Sequence, residues 1–271
     1  MPSSYSGIYT IPDGITTICK GAFYECKELT SINIPNSVLS INDFAFAYCE
    51  SLTSIVIPYG VKVIGECVFT GCKSLIALSI PESVISIKEQ AFAECNNLKC
   101  INFPNNLEEI ETDAFSDCKN LNTIILPESL SYIGARAFSG CIGLKSITNL
   151  SKQPQHITED VFEGVDKTMC KLRIPTESID DYWLSDGWDL FDNLLYKKDC
   201  VIYNNNPKQY LAHKTSQGQI IEWNQQVRRE VVRICPDLTI EDWEKIEEKL
   251  RLTTDSLIEA VNCKTYASNL L

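Results

Sequence analysis

Cysteine is the residue type of this chain that could most readily do chemistry, because its thiolate is both a nucleophile and a metal ligand. The sequence contains 13 cysteines and two histidines, His156 and His213. Six of the cysteines recur every 23 residues, and these are Cys26, Cys49, Cys72, Cys95, Cys118 and Cys141. Equivalent side chains on stacked units lie about 4.8 Å apart, beyond the usual Cβ separation of a disulfide. We therefore expect reduced, buried thiols that fill space in the core, as in a reducing compartment.

The spacing of the remaining candidate groups predicts no catalytic residue, no metal site and no cofactor. The sequence contains no CxxC, HExxH, GxGxxG or GxxxxGK[ST] pattern, and these are the spacings that metal sites and phosphate-binding loops use. Cys67 and Cys72 are five residues apart, which does not suit a zinc knuckle. The two histidines fall in different segments of the chain and match no nucleophile motif.

Proline, phenylalanine and leucine recur with the same 23-residue step as the six cysteines, without insertion or deletion. Such a fixed period indicates stacked supersecondary units, each of which contacts only its neighbours. The repeat therefore predicts a solenoid and favours binding over catalysis. The recurring positions are Pro12, Pro35, Pro58, Pro81, Pro104 and Pro127; Phe23, Phe46, Phe69, Phe92, Phe115 and Phe138; and Leu29, Leu52, Leu75, Leu98, Leu121 and Leu144.

One unit, residues 29–51, contains a strand pattern followed by a helix pattern. Ile32 and Ile34 alternate with Ser31 and Asn33, which predicts a short half-buried strand. Pro35 ends this strand because proline cannot donate to a strand ladder. The apolar residues that follow at helical steps are Val38, Ile41, Ala45, Phe46 and Cys49. We predict an α/β fold, a right-handed solenoid with a parallel sheet on its concave face and short helices on its convex face.

The repeated pattern L-x-x-I-x-I-P-x-x-V-x-x-I-x-x-x-A-F-x-x-C resembles the BspA-like leucine-rich repeat of the Treponema/Bacteroides type. The resemblance covers residues 8–193 and includes a closing segment, Lys171 to Phe191, whose aromatic residues resemble the C-terminal cap of such arrays. It implies a surface or secreted location, adhesion, and binding of host or matrix proteins. It also implies that recognition uses the strand side of the array.

The outward positions of the predicted strands are our candidate protein-binding residues. None of them is charged or aromatic. Because binding hot spots favour Trp, Tyr and Arg, these positions are also compatible with a plain solvated sheet. They are Ser31, Asn33, Ser54, Val56, Ala77, Ser79, Cys100, Asn102, Thr123, Ile125, Ser146 and Thr148.

Two other surfaces are further candidates. A charged helix face could keep the array soluble or steer a basic partner. The first surface is the rim that follows the prolines, with Asn36, Tyr59, Glu82, Asn105 and Glu128. The second is an acidic helix face with Glu108, Glu109, Glu111, Asp113 and Asp117.

The charge of the chain argues against nucleic-acid and membrane partners. The formal net charge is −12, and residues 1–196 contain 25 acidic against 13 basic residues, whereas residues 197–271 contain 11 of each. Phosphate backbones and anionic lipids are bound by Lys and Arg. The sequence also lacks an apolar run long enough to predict a membrane span.

The first residues of the sequence bear on its location. Residues 1–5 show no basic patch and no apolar run. We therefore predict no signal peptide and a cytoplasmic location, or a surface or secreted one if a leader was removed.

The change in charge near residue 196 supports a division of the chain into three parts. We assign residues 1–193 to the repeat array with its aromatic cap, residues 194–215 to a hairpin or linker, and residues 216–271 to a three-helix segment. Leu194–Tyr196 and Val201–Tyr203 are predicted to pair as the hairpin. Apolar residues at helical spacing and a capping signal at Thr239 predict the helices. This last segment could cap the array or act as a separate effector or oligomerisation module.

These patterns predict a non-enzymatic module that binds a protein partner, in an adhesion-like role, with the array as recognition scaffold. An alternative is an intracellular inhibitor or immunity-type protein, which the acidic charge and reduced cysteines motivate. A third hypothesis is an enzyme that uses Cys235. The triplet Cys235-Pro236-Asp237 resembles the Cys-x-Asp nucleophile motif of bacterial effector ubiquitin ligases. The sequence predicts neither the partner's identity nor the oligomeric state.

Overall fold

The structure is a computed structural model that describes residues 5–175 and 178–191, followed by the backbone of four short strands between residues 193 and 224. Among these described residues, no helix combines the length and the apolar character needed to cross a membrane. A short helix, α1, spans Ile179–Trp183. The strands in chain order are β1 (Gly7–Thr10), β2 (Thr17–Ile18), β3 (Leu29–Asn33), β4 (Ser40–Ile41), β5 (Ser54–Val56), β6 (Val63–Ile64), β7 (Ala77–Ser79), β8 (Ser86–Ile87), β9 (Cys100–Asn102), β10 (Glu109–Ile110), β11 (Thr123–Leu126), β12 (Tyr132–Ile133), β13 (Ser146–Asn149), β14 (Lys171–Arg173), β15 (Asn193–Leu195), β16 (Cys200–Ile202), β17 (Tyr210–Lys214) and β18 (Ile220–Asn224).

Each 23-residue unit forms one coil of a solenoid. Each of these coils contributes one strand to a long parallel sheet and another to a short parallel sheet. The long sheet has nine strands in the order β1-β3-β5-β7-β9-β11-β13-β14-β15. Residues one repeat apart lie opposite each other, as Ser31 does with Ser54. The short sheet has six two-residue strands in the order β12-β10-β8-β6-β4-β2. The predicted parallel-strand solenoid is confirmed, and the short sheet occupies the place where the helix pattern was expected to begin.

The segments predicted as short helices are successive tight turns. In the second coil, the N–H of Ala47 donates to the carbonyl of Phe44 at 3.1 Å. Phe44 and Tyr48 have φ angles of 57° and 59°, a conformation that interrupts a helix. The N–H of Tyr48 donates instead to the carbonyl of Thr70 in the next coil, at 2.7 Å. Turns replace the helix because a helix would keep these N–H groups bonded within their own coil.

A column of stacked phenylalanine rings runs through the core. Successive ring centroids lie 5.1–5.5 Å apart with interplanar angles of 3–14°. All the rings except Phe23 are at most 1% exposed, so each side of a ring is covered by the coil on that side. The column consists of Phe23, Phe46, Phe69, Phe92, Phe115, Phe138 and Phe162.

Aromatic residues close the C-terminal end of this column. Trp188 and Phe191 lie 5.5 Å and 5.4 Å from Phe162 between ring centroids. Their planes are inclined by 56° and 83° to that of Phe162, so they end the parallel stack instead of extending it. Tyr182 from α1 packs against Trp188 at 5.6 Å. These four residues are buried and exclude water from the last coil.

Strand pairing after residue 192 differs from the predicted hairpin. Leu194 lies in β15, which pairs with β14 in the long sheet. The segment Cys200–Ile202 pairs with Tyr210–Lys214 in an antiparallel ladder. The segment Ile220–Asn224, predicted as helix, pairs with β17, since apolar residues at alternate positions also suit a strand. Residues 225–271, which include the other predicted helical positions and Cys235, lie outside the described residues.

A truncation inside the strand should destabilise the array far more than one on its outer surface. Ile55 is 4% exposed and its neighbour Val56 is 73% exposed. We expect Ile55→Ala to lower the free energy of unfolding by about 2–5 kcal/mol, because it removes buried methyl groups and leaves a cavity. Val56→Ala is the matched control and should change it by less than about 0.5 kcal/mol. Urea unfolding followed by circular dichroism measures both, and equal losses would contradict the inward orientation of Ile55.

The close contact between coils also predicts an effect at Gly134. A Cβ atom at this position would lie 2.5 Å from the backbone nitrogen of Thr112 and 2.7 Å from the carbonyl carbon of Glu111. We expect Gly134→Ala to cost about 1–3 kcal/mol, because backbone atoms cannot move away without opening the contact between coils. Gly60→Ala is the control, since its nearest neighbour is the end of the mobile Leu39 side chain. Thermal unfolding should show a larger loss for Gly134→Ala, and the reverse order would refute this explanation.

Candidate binding surface

The candidate residues lie on the outward side of the long sheet, which we call the strand face. Side chains alternate across a strand, so the residues between the buried isoleucines and leucines point away from the core. Val56 and Ile125 are 73% and 48% exposed. The remaining candidates are exposed or half-buried, apart from Ala77, whose side chain is not described. The exposed or half-buried residues are Ser31, Asn33, Ser54, Val56, Ser79, Cys100, Asn102, Thr123, Ile125, Ser146 and Thr148.

Two cations on the strand face were not recognised by the sequence analysis. Lys171 and Arg173 lie in β14 opposite Ser146 and Thr148, and both are exposed. The sequence did contain a signal, because Lys171 and Arg173 flank Leu172 as Ser31 and Asn33 flank Ile32. The sequence analysis assigns the segment from Lys171 to Phe191 to the aromatic cap and does not predict a strand within it. The strand face is therefore neutral in its centre and basic at its C-terminal end.

The rim is divided into an exposed part and a hydrogen-bonded part. Tyr59 is 71% exposed. Glu82 accepts a hydrogen bond from the backbone N–H of Asn105 at 2.9 Å, and its carbonyl accepts one from Asn106 at 3.0 Å. Tyr59 thus offers an aromatic contact of the kind that binding sites favour. In the two coils that follow, Glu82 and Asn105 are instead hydrogen-bonded to each other.

The predicted acidic helix face is not a free acidic surface. The Lys88 ammonium lies 2.6 Å from a carboxylate oxygen of Glu111 and 3.4 Å from one of Glu109. Arg136 donates two hydrogen bonds to Asp113, at 2.9 Å and 2.6 Å. These pairs join neighbouring coils and neutralise much of the cluster. The pKa of the Lys88 ammonium is raised, chiefly by its hydrogen bond to Glu111, as expected for a group whose charged form is stabilised.

A buried polar network beside the cap accounts for Asn149, which begins an Asn-x-Ser sequence. Its amide donates to the side-chain oxygen of Gln155 at 2.8 Å, and its own oxygen accepts from the N–H of Ser151 at 3.2 Å. Gln155 in turn donates to the carbonyl of Leu130 at 2.6 Å. The indole N–H of Trp188 donates to the carbonyl of Gln155 at 2.9 Å. With no exposed surface, Asn149 stabilises the closing end of the array and is not open to glycosylation in the folded state.

The described part of the chain contains no group of three or more His, Cys, Asp or Glu side chains that could hold a metal ion. His156 is exposed on the surface. His213 lies in β17 and pairs with Cys200 of β16 in the strand ladder.

The six periodic cysteines are buried structural residues, as the sequence predicted. All six have no exposed surface and carry free thiols. Five of the thiols donate to a phenylalanine carbonyl of the preceding coil at 3.2–3.3 Å. Burial raises the pKa of Cys49 and of Cys141 to about 12, and raises the pKa of Cys95 well above its ordinary value. At neutral pH these thiols remain protonated and are poor nucleophiles.

Thiol labelling should separate the buried cysteines from the exposed ones. A pKa shift from 9.0 to about 12 at Cys49 lowers the thiolate fraction about a thousandfold at neutral pH, and burial also blocks the reagent. We expect iodoacetamide to modify exposed Cys19 and Cys100 in the folded protein and to leave Cys49 and Cys95 unmodified. Unfolding in urea should make all of them reactive, which peptide mass spectrometry can measure. Modification of folded Cys95 as fast as Cys100 would contradict this prediction.

The geometry agrees with the matches to known proteins. A family model described as "BspA type Leucine rich repeat region" matches residues 6–122 and 63–187, with six copies. A comparison with functionally characterised proteins found no match.

Among solved structures, the chain is similar to a leucine-rich repeat protein from Bacteroides ovatus. The two are 30% identical over 62% of this chain and 50% of the other, with a TM-score of 0.57. The leucine-rich repeat protein of T. pallidum is 34% identical over 51% of this chain and 64% of its own, with a TM-score of 0.49. The chain thus spans between half and two thirds of the length of these relatives. Because the family model covers well over half of the chain, this protein belongs to the family of BspA type leucine-rich repeat proteins.

Proposed function

We propose that the array is a non-enzymatic scaffold that binds a protein partner across the strand face. The observation that carries this proposal is the continuous row of exposed side chains on successive strands of the long sheet. The outward side chains from β3 to β14 that the structure describes are exposed or half-buried. One of them, Asn33, donates a hydrogen bond to the side chain of Thr10 in the preceding coil, at 3.1 Å. These side chains are therefore available to a partner.

The rigidity of the array supports binding. Every coil is fixed on both sides by the phenylalanine column and by the strand ladders. A surface that is already ordered loses little conformational entropy when a partner binds. Solenoids use such extended surfaces to hold partners along several repeats at once.

The chemistry of the strand face indicates the kind of contact it makes. Serine, threonine and asparagine side chains predominate, and they can hydrogen-bond without the cost of burying a charge. Val56 and Ile125 add exposed apolar surface at two points. A partner with a flat, mostly uncharged surface fits this arrangement, and the adhesion-like role implied by the family resemblance is one setting in which it would be used.

The structural role of the periodic thiols and of several acidic residues favours binding over catalysis. The buried thiols are protonated at neutral pH. Three of the candidate acids, Glu109, Glu111 and Asp113, form ion pairs between coils. Among the described residues, the exposed polar groups of the strand face are hydroxyls, amides, the thiol of Cys100 and the cations of Lys171 and Arg173.

The proposal predicts that bulky charged substitutions on the strand face abolish partner capture. The full chain serves as bait for extracts of its native cells and for immobilised matrix proteins. We expect the double variant Ser54→Arg/Ser79→Arg to lose at least about tenfold in retention of the captured protein, because two arginines block the face and leave charges unpaired. Partner retention is quantified by mass spectrometry.

The matched control is Thr17→Arg/Ser131→Arg, which adds the same charge at exposed positions in and next to the short sheet. This variant should retain the partner as the unmodified chain does. Equal retention by both double variants would show that the strand face is not the binding surface. Circular dichroism should confirm that both variants remain folded.

A further inference from the structure

Four basic residues form a band along the C-terminal half of the long sheet, three of them at the start of a strand and one at the end of a strand. Lys99 precedes β9, Lys145 precedes β13, Lys171 begins β14 and Arg173 ends it. All four are exposed. We call these four residues the basic band. It adjoins the strand face, where Lys171 and Arg173 occupy two of the outward positions.

The backbone stacks these residues along the sheet, with the coil of Asn122 between those of Lys99 and Lys145. The N–H of Asn122 donates to the carbonyl of Lys99 at 3.0 Å, and the N–H of Lys145 donates to the carbonyl of Asn122 at 2.9 Å. The N–H of Lys171 donates to the carbonyl of Lys145, also at 2.9 Å. Parallel strands are about 4.8 Å apart, so the band brings like charges together on one side of the sheet. Such an arrangement is unfavourable by itself and is stabilised when an anion binds.

The basic band has no internal counter-charge. Six other basic residues of the array form ion pairs with aspartate or glutamate of the same or a neighbouring coil. None of the four residues of the band forms such a pair within the described part of the chain. Lys62 and Lys167 likewise form no such pair within the described residues, so the distinguishing feature of the band is that its cations are grouped in a segment with 25 acidic and 13 basic residues.

We propose that the basic band binds a short acidic segment of the protein partner that the strand face holds. This inference rests on the proposed function and adds the charge of the partner to it. A neutral strand face cannot select a partner by charge, whereas cations at one end can orient it and raise its rate of association. A long polyanion such as nucleic acid or a sulfated polysaccharide fits less well, because beyond the band it would meet the acidic remainder of the array.

Ile125 and Thr148 lie in the same part of the sheet as the band. Ile125 is 48% exposed and belongs to β11, while Thr148 is half-buried in β13 beside Arg173. A segment bound along these strands would meet an apolar side chain and a hydroxyl next to its salt bridges. The partner segment is therefore acidic with interspersed small or apolar residues.

The test uses the full chain and a fluorescent peptide of alternating glutamate and serine. Fluorescence anisotropy at low salt should show binding that weakens as salt is raised. A peptide with glutamine in place of glutamate should bind at least about tenfold more weakly. We expect Lys171→Glu to weaken binding of the glutamate peptide by about tenfold. Lys145→Glu is a second variant that keeps the test valid if substitution in β14 impairs folding.

Lys62→Glu is the matched control, because Lys62 is also exposed and lies near the short sheet, away from the band. Lys62→Glu makes the same change in net charge as Lys171→Glu and should alter the affinity for the glutamate peptide less than about twofold. Equal losses for Lys62→Glu and Lys171→Glu, or equal binding of the glutamine peptide, would overturn the proposal. Tighter binding of a sulfated oligosaccharide than of the glutamate peptide would also overturn it.

These outcomes are distinguishable from failure of the proposed function. If the strand-face arginine variants lose the captured protein while the glutamate peptide does not bind, only the acidic character assigned to the partner fails. If the captured protein is insensitive to strand-face substitution, the scaffold proposal fails regardless of the peptide result.

Discussion

The distance between coils is the constraint on which this molecule depends. Phenylalanine rings stack 5.1–5.5 Å apart in the core, close to the spacing of about 4.8 Å that parallel strands require. A single distance between adjacent coils therefore allows the phenylalanine rings to stack, the strands of both sheets to pair, and the turns to hydrogen-bond from coil to coil. The coil from Phe138 to Phe162 has one residue more and keeps the ring stack, but the short sheet ends before it, at β12. The shared distance explains why the 23-residue step holds from Pro12 to Cys141.

The same constraint explains how the array ends. In the interior, a serine hydroxyl donates to a carbonyl of the preceding coil, as Ser83 does to Val61 at 2.7 Å and Ser129 does to Leu107 at 2.6 Å. At the last repeat, the amide of Gln155 takes the place of this serine and donates to Leu130. The carbonyl remains satisfied although the regular repeat has stopped, which a buried polar group requires.

Stacking also determines which positions are left for function. Inward residues and turn residues are fixed by contacts with both neighbours, so variation is confined to the outward positions. Several of these join coils through ion pairs, such as Arg136 with Asp113. The side chains of the basic band form no ion pairs with the described residues of the array, and most of the described outward side chains of the strand face are exposed, which is why recognition is proposed there.

The sequence by itself determined the solenoid, the inward and outward alternation of its strands, and the burial of the periodic cysteines. These follow from the two-residue alternation along each strand and from the 23-residue repeat, both of which are present in the sequence. It did not predict the turns that replace the helices, because a segment such as Phe44 to Tyr48 has helical spacing, and only the neighbouring coil makes its positive φ angles favourable. Nor did it distinguish a free acid from a paired one, since Lys88 and Glu111 meet only across coils. Tertiary structure decided the charge pattern of the surface, because stacking brings residues one repeat apart into contact.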